Sequence, residues 1–333
     1  MTASSTMPKR SIAALALFVA LMAAAPLVAN DYLISVLILI LLSAYIGQAW
    51  NIMMGFAGLL SLGHALYIGL GAYISAALFV HYGTSPWLGM AVGIVVAGAV
   101  GAAIGALSFR FRVGGVYFAL LTIAFAEFTR ILFDHLDWFG SSSGLFLPVA
   151  NRASNDLLTL RGAPAMFYYL LLAAVLALLA LSRLLLHRRI GYYWQAIRED
   201  EAAAEASGID VFRYKLAAII ISAGLTAIAG VFLAFYNNNL YPETTFAMER
   251  SIEAILPAII GGLGTLFGPI LGAFVLIALN QTLTEVTASW GVNGIKQLLY
   301  GLVLAGVIIA QPSGLWPFIA ERLGLLRERR RKG

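Results

Sequence analysis

The chain has 333 residues, 61% of them hydrophobic and only 11% charged, with a net charge of +5. Soluble domains carry roughly 25% charged residues, so a water-soluble enzyme or binding module is excluded, and disorder is excluded by the same hydrophobicity. The apolar runs are unbroken rather than alternating, which excludes an outer-membrane barrel and leaves an all-α, polytopic helical membrane protein.

In chain order, apolar runs occupy 11–29, 32–54, 64–80, 88–109, 116–133, 166–186, 216–236, 252–263, 268–289 and 295–311. A spanning helix needs about 20 such residues. The run 252–263 is too short: at about 1.5 Å per residue it covers roughly 18 Å of a ~30 Å hydrocarbon core. It must draw on the polar stretch before it or form a half-helix. Lys9 and Arg10 place the start of the first run inside. With that orientation, sixteen of the 21 basic residues fall inside. Arg152, Arg161, Arg250 and Lys296 fall outside, and Arg130 lies within a span. The positive charge therefore marks inner loops and not a nucleic-acid partner. The basic tail Arg327–Lys332 belongs inside as well. The number of crossings is then even, and about ten are expected, with both termini cytoplasmic. The first run resembles a signal peptide in its Lys9-Arg10 start and its Ala23-Ala24-Ala25 stretch. Its apolar length, reaching Ala29, favours a retained span.

The chain reads as one membrane domain, 1–333. Its membrane region is 11–311, its outer loop 134–165, its inner segment 187–215 and its basic tail 320–333. Small residues recur every four positions at Gly89, Gly93, Ala97, Gly101 and Gly105, at Ser222, Thr226, Gly230 and Ala234, and at Gly264, Gly268 and Gly272. That spacing lets helix backbones approach closely in lipid. Gly268-Pro269 after Gly261-Gly262 predicts a break between two helices. In the inner segment, helix formers from Arg198 to Ser207 predict one short charged helix stopped by Gly208.

Polar groups inside spans are costly and are functional suspects. Glu127 stands out, and Arg130, three residues on, can pair with it. Ser61 and His64 follow Gly55 and Gly58, and a hydrogen bond across helices is their plainer reading. Asn237, Asn238 and Asn239 sit at an outer helix end, where a cap and turn is the plainer reading. Gly140-Ser141-Ser142-Ser143-Gly144 fits the hydrolase pattern G-x-S-x-G, with His135 nearby. That pattern works only at a strand-to-helix elbow, whereas here it falls in a loop between helices. The chain has no cysteine, hence no disulfide and no thiolate metal site. None of the four lysines, Lys9, Lys215, Lys296 and Lys332, follows a glycine, so there is no phosphate-cradling P-loop. No cofactor is expected.

Five segments carry a specific resemblance. They are NIMMGFAGLLSLGHALYIGLGAY at 51–73, GVYFALLTIAFAEFTR at 115–130, AIREDEAAAEASGIDVFRYKLAAIIISAGLTAIAG at 196–230, SIEAILPAIIGGLGTLFGPILGA at 251–273 and AQPSGLW at 310–316. In this order they resemble bacterial ABC-transporter permeases for branched-chain amino acids, of the LivM type. The wider importer superfamily has E-A-A-x-x-x-G in its cytoplasmic loop. Here Glu201-Ala202-Ala203 puts Ser207 at that glycine, with Gly208 one residue late.

The resemblance implies a non-catalytic subunit of an importer in the inner membrane, working by alternating access. It implies a second, LivH-like permease, two ATP-hydrolysing subunits and a periplasmic substrate-binding protein as partners, with lipid around the spans. Arg198, Glu199, Asp200, Glu201, Glu205 and Gly208 would couple to the ATPases. Ser61, His64, Glu127 and Asn237 are the candidate pathway residues. The loop 134–165 would dock the binding protein. Two alternatives remain: the same fold carrying urea, short amides or another small polar solute, and an ion-coupled secondary transporter using Glu127.

Overall fold

The computed structural model describes residues 9–148, 155–287 and 294–322, with side chains from residue 18 onward. The basic tail from 323, and Arg152, lie outside the described residues.

A helix lies on each of the ten apolar runs. They are α1 (Lys9–Val28), α2 (Asp31–Asn51), α3 (His64–Tyr82), α4 (Pro86–Arg110), α5 (Gly115–Asp134), α6 (Pro164–His187), α9 (Val211–Asn237), α11 (Met248–Gly261), α12 (Gly268–Thr287) and α13 (Ile295–Ala310). Shorter helices are α7 (Arg189–Glu199), α8 (Glu201–Ala206), α10 (Pro242–Thr245) and α14 (Leu315–Arg322). Among the described residues, seven helices are long and apolar enough to cross a membrane: α2 with its extension to Phe56, α3, α4, α5, α6, α9 and α12. The pair α13–α14, bent by 54°, makes an eighth if it is one span.

Local chemistry sets the helix ends. Asn30 caps α2 by accepting the Leu33 amide at 2.9 Å. Pro86 and Pro164 open α4 and α6, where a missing N–H costs nothing. Asp210 caps α9 through the Arg213 amide at 3.1 Å. α2 does not end as a plain α-helix. Its last turn, Ile52–Phe56, widens into a π-helix, a form often found at functional positions.

α9 is the central helix and packs against α2, α3 and α4. Close approach to α3 rests on two glycines. A Cβ at Gly71 would stand 2.0 Å from the Ala227 carbonyl oxygen, and one at Gly230 would stand 2.0 Å from that of Ile68. The α4 ridge faces the same core, with Gly93 against Gly71 and Gly101 against Ile219 and Ala223. The third ridge differs from expectation. Gly264 precedes α12 and lies in the loop, with φ +73°. Only Gly268 and Gly272 are on that helix, because the break extends from Gly262 to Phe267.

The two ends of the bundle are distinct. One gathers Gly114, Gly115, the stretch Ile197–Glu201 and Lys215 around a common cavity. It is called the basic end below. The opposite end carries the loop after α5. There Leu145–Phe146 (β1) pairs antiparallel with Asn239–Leu240 (β2). Arg161 fastens this loop. It donates to the carbonyl of Pro148 and to Asn238 Oδ1 at 2.8 Å, and its guanidinium lies 5.0 Å over Phe79. Burial pushes the Arg161 guanidinium down from its ordinary value.

Candidate functional site

Residues 57–63 connect α2 to α3 without regular structure. Their depth follows from His64, whose Nε2 is 3.1 Å from Ser222 Oγ. Ser222 is eleven residues into the 27-residue α9, roughly 17 Å along its axis. The irregular segment therefore rises from the basic end into the middle of the bundle. At membrane depth such backbone is tolerated only when buried in protein or lining a cavity. Its polar groups are met by side chains. Trp50 Nε1 donates to the Ser61 carbonyl at 2.9 Å. Thr122 Oγ1 accepts from the Leu62 amide at 3.1 Å. Ser251 Oγ accepts from the Ala65 amide at 2.9 Å.

His64 and Ser61 are fully buried. The Ser222 hydroxyl donates to the Ala49 carbonyl at 2.8 Å, so the ring donates from Nε2 to the serine oxygen. Nδ1 then accepts from Ser61 Oγ, 3.3 Å away. Every ring nitrogen is occupied, and the group pins the mouth of α3 to α2 and α9. Ser222→Ala removes the acceptor of Nε2. An unmet buried donor costs about 1–3 kcal/mol, so the detergent-solubilised chain should melt several degrees lower, read by thermal aggregation.

A second break meets the first. Between α11 and α12, Asn51 Nδ2 donates to the Thr265 carbonyl and its Oδ1 accepts from the Gly264 amide, both at 2.9 Å. Asn51 was not a sequence-level candidate. A buried amide inside an apolar run was the available signal.

Arg198 joins both breaks. Its Nη1 donates to the Gly55 carbonyl, in the π turn, at 2.5 Å. A Cβ at Gly264 would stand 2.6 Å from that same nitrogen, and one at Gly58 3.2 Å from the Arg198 Cα. Beside it is a cavity of 230 Å³ lined by Gly58, Gly115, Phe118, Arg198, Glu201 and Lys215.

The inner segment forms two helices where one was expected. Arg198 and Glu199 end α7, and Glu201 begins α8. Asp200 separates them with an extended backbone and caps α8 through the Ala203 amide at 3.0 Å. The capping bond outweighs the helix propensity of the flanking residues. Glu199 pairs with Arg198 at 2.8 Å. Glu201 pairs with Lys215, largely buried, at 2.5 Å. Glu205 is exposed, and Gly208 has φ +84° after α8.

The other candidates stand apart from this nexus. Arg130 is held by Glu127 at 2.6 Å and by Asp134 at 2.8 Å, with the Glu127 side chain 51% exposed. Asn237 is the last residue of α9 and is exposed. Ser142 lies in a 3-10 turn, and the His135 ring is 2.8 Å from the Ile131 carbonyl, so no nucleophile elbow forms. Among the described residues no group of three His, Asp or Glu could hold a metal ion.

The family described as branched-chain amino acid transport system / permease component matches residues 32–310. The chain belongs to this family of membrane transport permeases. It is 31% identical over 303 residues to the high-affinity branched-chain amino acid transport system permease protein LivM of Escherichia coli K12, covering 84% of this chain and 69% of that one. It is 24% identical over 287 residues to the LivH protein of the same strain, covering 82% and 90%. A probable LivH of Methanocaldococcus jannaschii is 26% identical over 259 residues, covering 76% and 79%. No solved structure matches.

Proposed function

We propose that the chain is one of two permease subunits in an ATP-driven importer of branched-chain amino acids in the bacterial inner membrane. The basic end faces the cytoplasm, where α7 and α8 receive two ATPase subunits. The far end, with its strapped loop, receives a periplasmic binding protein. A LivH-like chain completes the path, consistent with likeness to both kinds of relative. Ten crossings with both termini inside accommodate α11, because β2, α10 and α11 together lead from the far end to the basic end.

The observation that carries the reading is Arg198. The segment that would meet the ATPases is hydrogen-bonded into the π turn of α2 and packs on the Gly264 loop. A push on α7 is delivered where helices are already broken and can rearrange. Glu127 is committed to Arg130, which disfavours it as an ion-coupling acid.

The test is uptake of labelled leucine into proteoliposomes holding both permeases and the ATPases, with binding protein outside. Uptake should require ATP on the ATPase side and the binding protein on the other. Uptake that survives ATP depletion but collapses with the proton gradient would replace this reading with a secondary transporter. ATP-driven uptake of urea or short amides, with leucine ignored, would change the cargo alone.

A further inference from the structure

α11 does not start at a membrane surface. Its Ser251 hydroxyl binds the Ala65 amide, next to His64 and thus level with Ser222 on α9. Just before α11, the ring of Phe246 fills the space beside Gly69 and stacks on Tyr73 at 5.7 Å. α11 then descends to Gly261, at the break facing Gly268. It is 14 residues long, or about 21 Å, and occupies only the basic half of the bundle. Arg250, expected outside from the sequence, is at mid-depth for this reason.

One face of α11 is buried through Ser251, Ala254, Ile255 and Ala258. The opposite face is open. Met248 is 49% exposed, Ile252 41%, and the Glu253 side chain 64%. Glu249 is exposed beside them. Arg250 Nη1 donates to Glu253 at 2.9 Å, while its Nε is shielded and has no partner among the described residues. Two carboxylates and a guanidinium on a mid-depth surface are too costly to face lipid. Burial of this face against an apolar neighbour would be equally unfavourable.

We infer that the Glu249–Glu253 face of α11 lines the water-filled route for a zwitterionic aliphatic amino acid, between this chain and the second permease. The inference rests on the permease reading above and assigns residues to its path. The carboxylates of Glu249 and Glu253 attract the ammonium group. The positive end of the α11 dipole and the Arg250 guanidinium favour the carboxylate. Met248 and Ile252 offer an apolar surface to the side chain. A half-helix ending at mid-depth, with the positive end of its dipole toward an anionic group, is how transporters build such stations in lipid.

The test exploits the absence of cysteine from the chain. Glu253→Cys and Ile252→Cys are reconstituted with the partner chains and treated, during ATP-driven turnover, with a membrane-impermeant cationic thiosulfonate. Modification is read by mass on this chain. Val95→Cys, on an exposed apolar position of α4, is the lipid-facing control. Both α11 cysteines should react at least about tenfold faster than the control, because only a hydrated thiol ionises to the reactive thiolate. Glu253→Gln, with partners still co-purifying, should raise the KM for leucine about tenfold, the effect of losing one modest charge interaction. Reaction as slow as the control would overturn the inference and leave ATP-driven uptake untouched. So would fast reaction with an unchanged KM for Glu253→Gln. Absence of ATP-driven leucine uptake by the unsubstituted complex is a different failure, that of the permease reading itself.

Discussion

Arg198→Ala should break the link between ATP hydrolysis and uptake. A hydrogen bond from a charged donor is worth about 1.5–3 kcal/mol, and each 1.4 kcal/mol is about a factor of ten. Arg198 supplies such a bond to the Gly55 carbonyl and also packs on Gly58 and Gly264. Leucine uptake by the reconstituted transporter should therefore fall roughly ten- to hundredfold. ATP hydrolysis should fall much less, so the ATP consumed per leucine rises. Glu199→Ala is the contrast. It removes a pair to an exposed carboxylate, worth at most about 1 kcal/mol, and should leave the ratio nearly unchanged. Equal losses of hydrolysis and uptake in Arg198→Ala would mean that Arg198 only holds α7 in place. Arg198→Lys should rescue poorly, because an ammonium offers a point charge where the guanidinium also fills the space between two glycine-rich turns.

The helices were legible because the chain has little else: apolar runs bounded by Gly, Pro and charge leave few readings. The break before Pro269 could be read from its Gly-Pro pair. The break at Asp200 could not, since helix formers run through it and one side-chain bond decides the matter. The depth of α11 was equally hidden. Residues 238–251 are polar enough to pass for an outer loop, and the bond that sets their level joins residues 186 apart. His64 and Ser61 were visible as polar residues in an apolar setting, but their partner Ser222 had been assigned only to a packing ridge. Asn51 escaped because one amide between Trp50 and Ile52 looks like an interruption, and its partners are backbone atoms of the Gly264 loop.

Gly230→Val should be the most damaging single change in the membrane core. The first added carbon would stand 2.0 Å from the Ile68 carbonyl oxygen and 2.8 Å from the Ala72 amide nitrogen. Both are backbone atoms of α3, so no side-chain rotation relieves the clash. α3 must move as a body, and its entry is tied to α2, α9 and α11 by His64, Ser222 and Ser251. Overpacking by side chains alone costs about 1–3 kcal/mol, and displacement of a helix backbone should exceed that. Association in lipid depends on such close packing, so the folded chain should fall to a small fraction of its normal level, read by gel filtration of a fluorescent fusion. Gly71→Val presents the reciprocal clash against the Ala227 carbonyl and should match it. Gly301→Val is the control: nothing lies within 4 Å of its added carbon, and valine costs a helix little. Loss of the folded chain in all three would point to insertion as the weak step. Loss in the first two alone would place it in the α3–α9 crossing, the same crossing that holds the broken entry of α3 against the helix whose Lys215 pairs with Glu201 of α8.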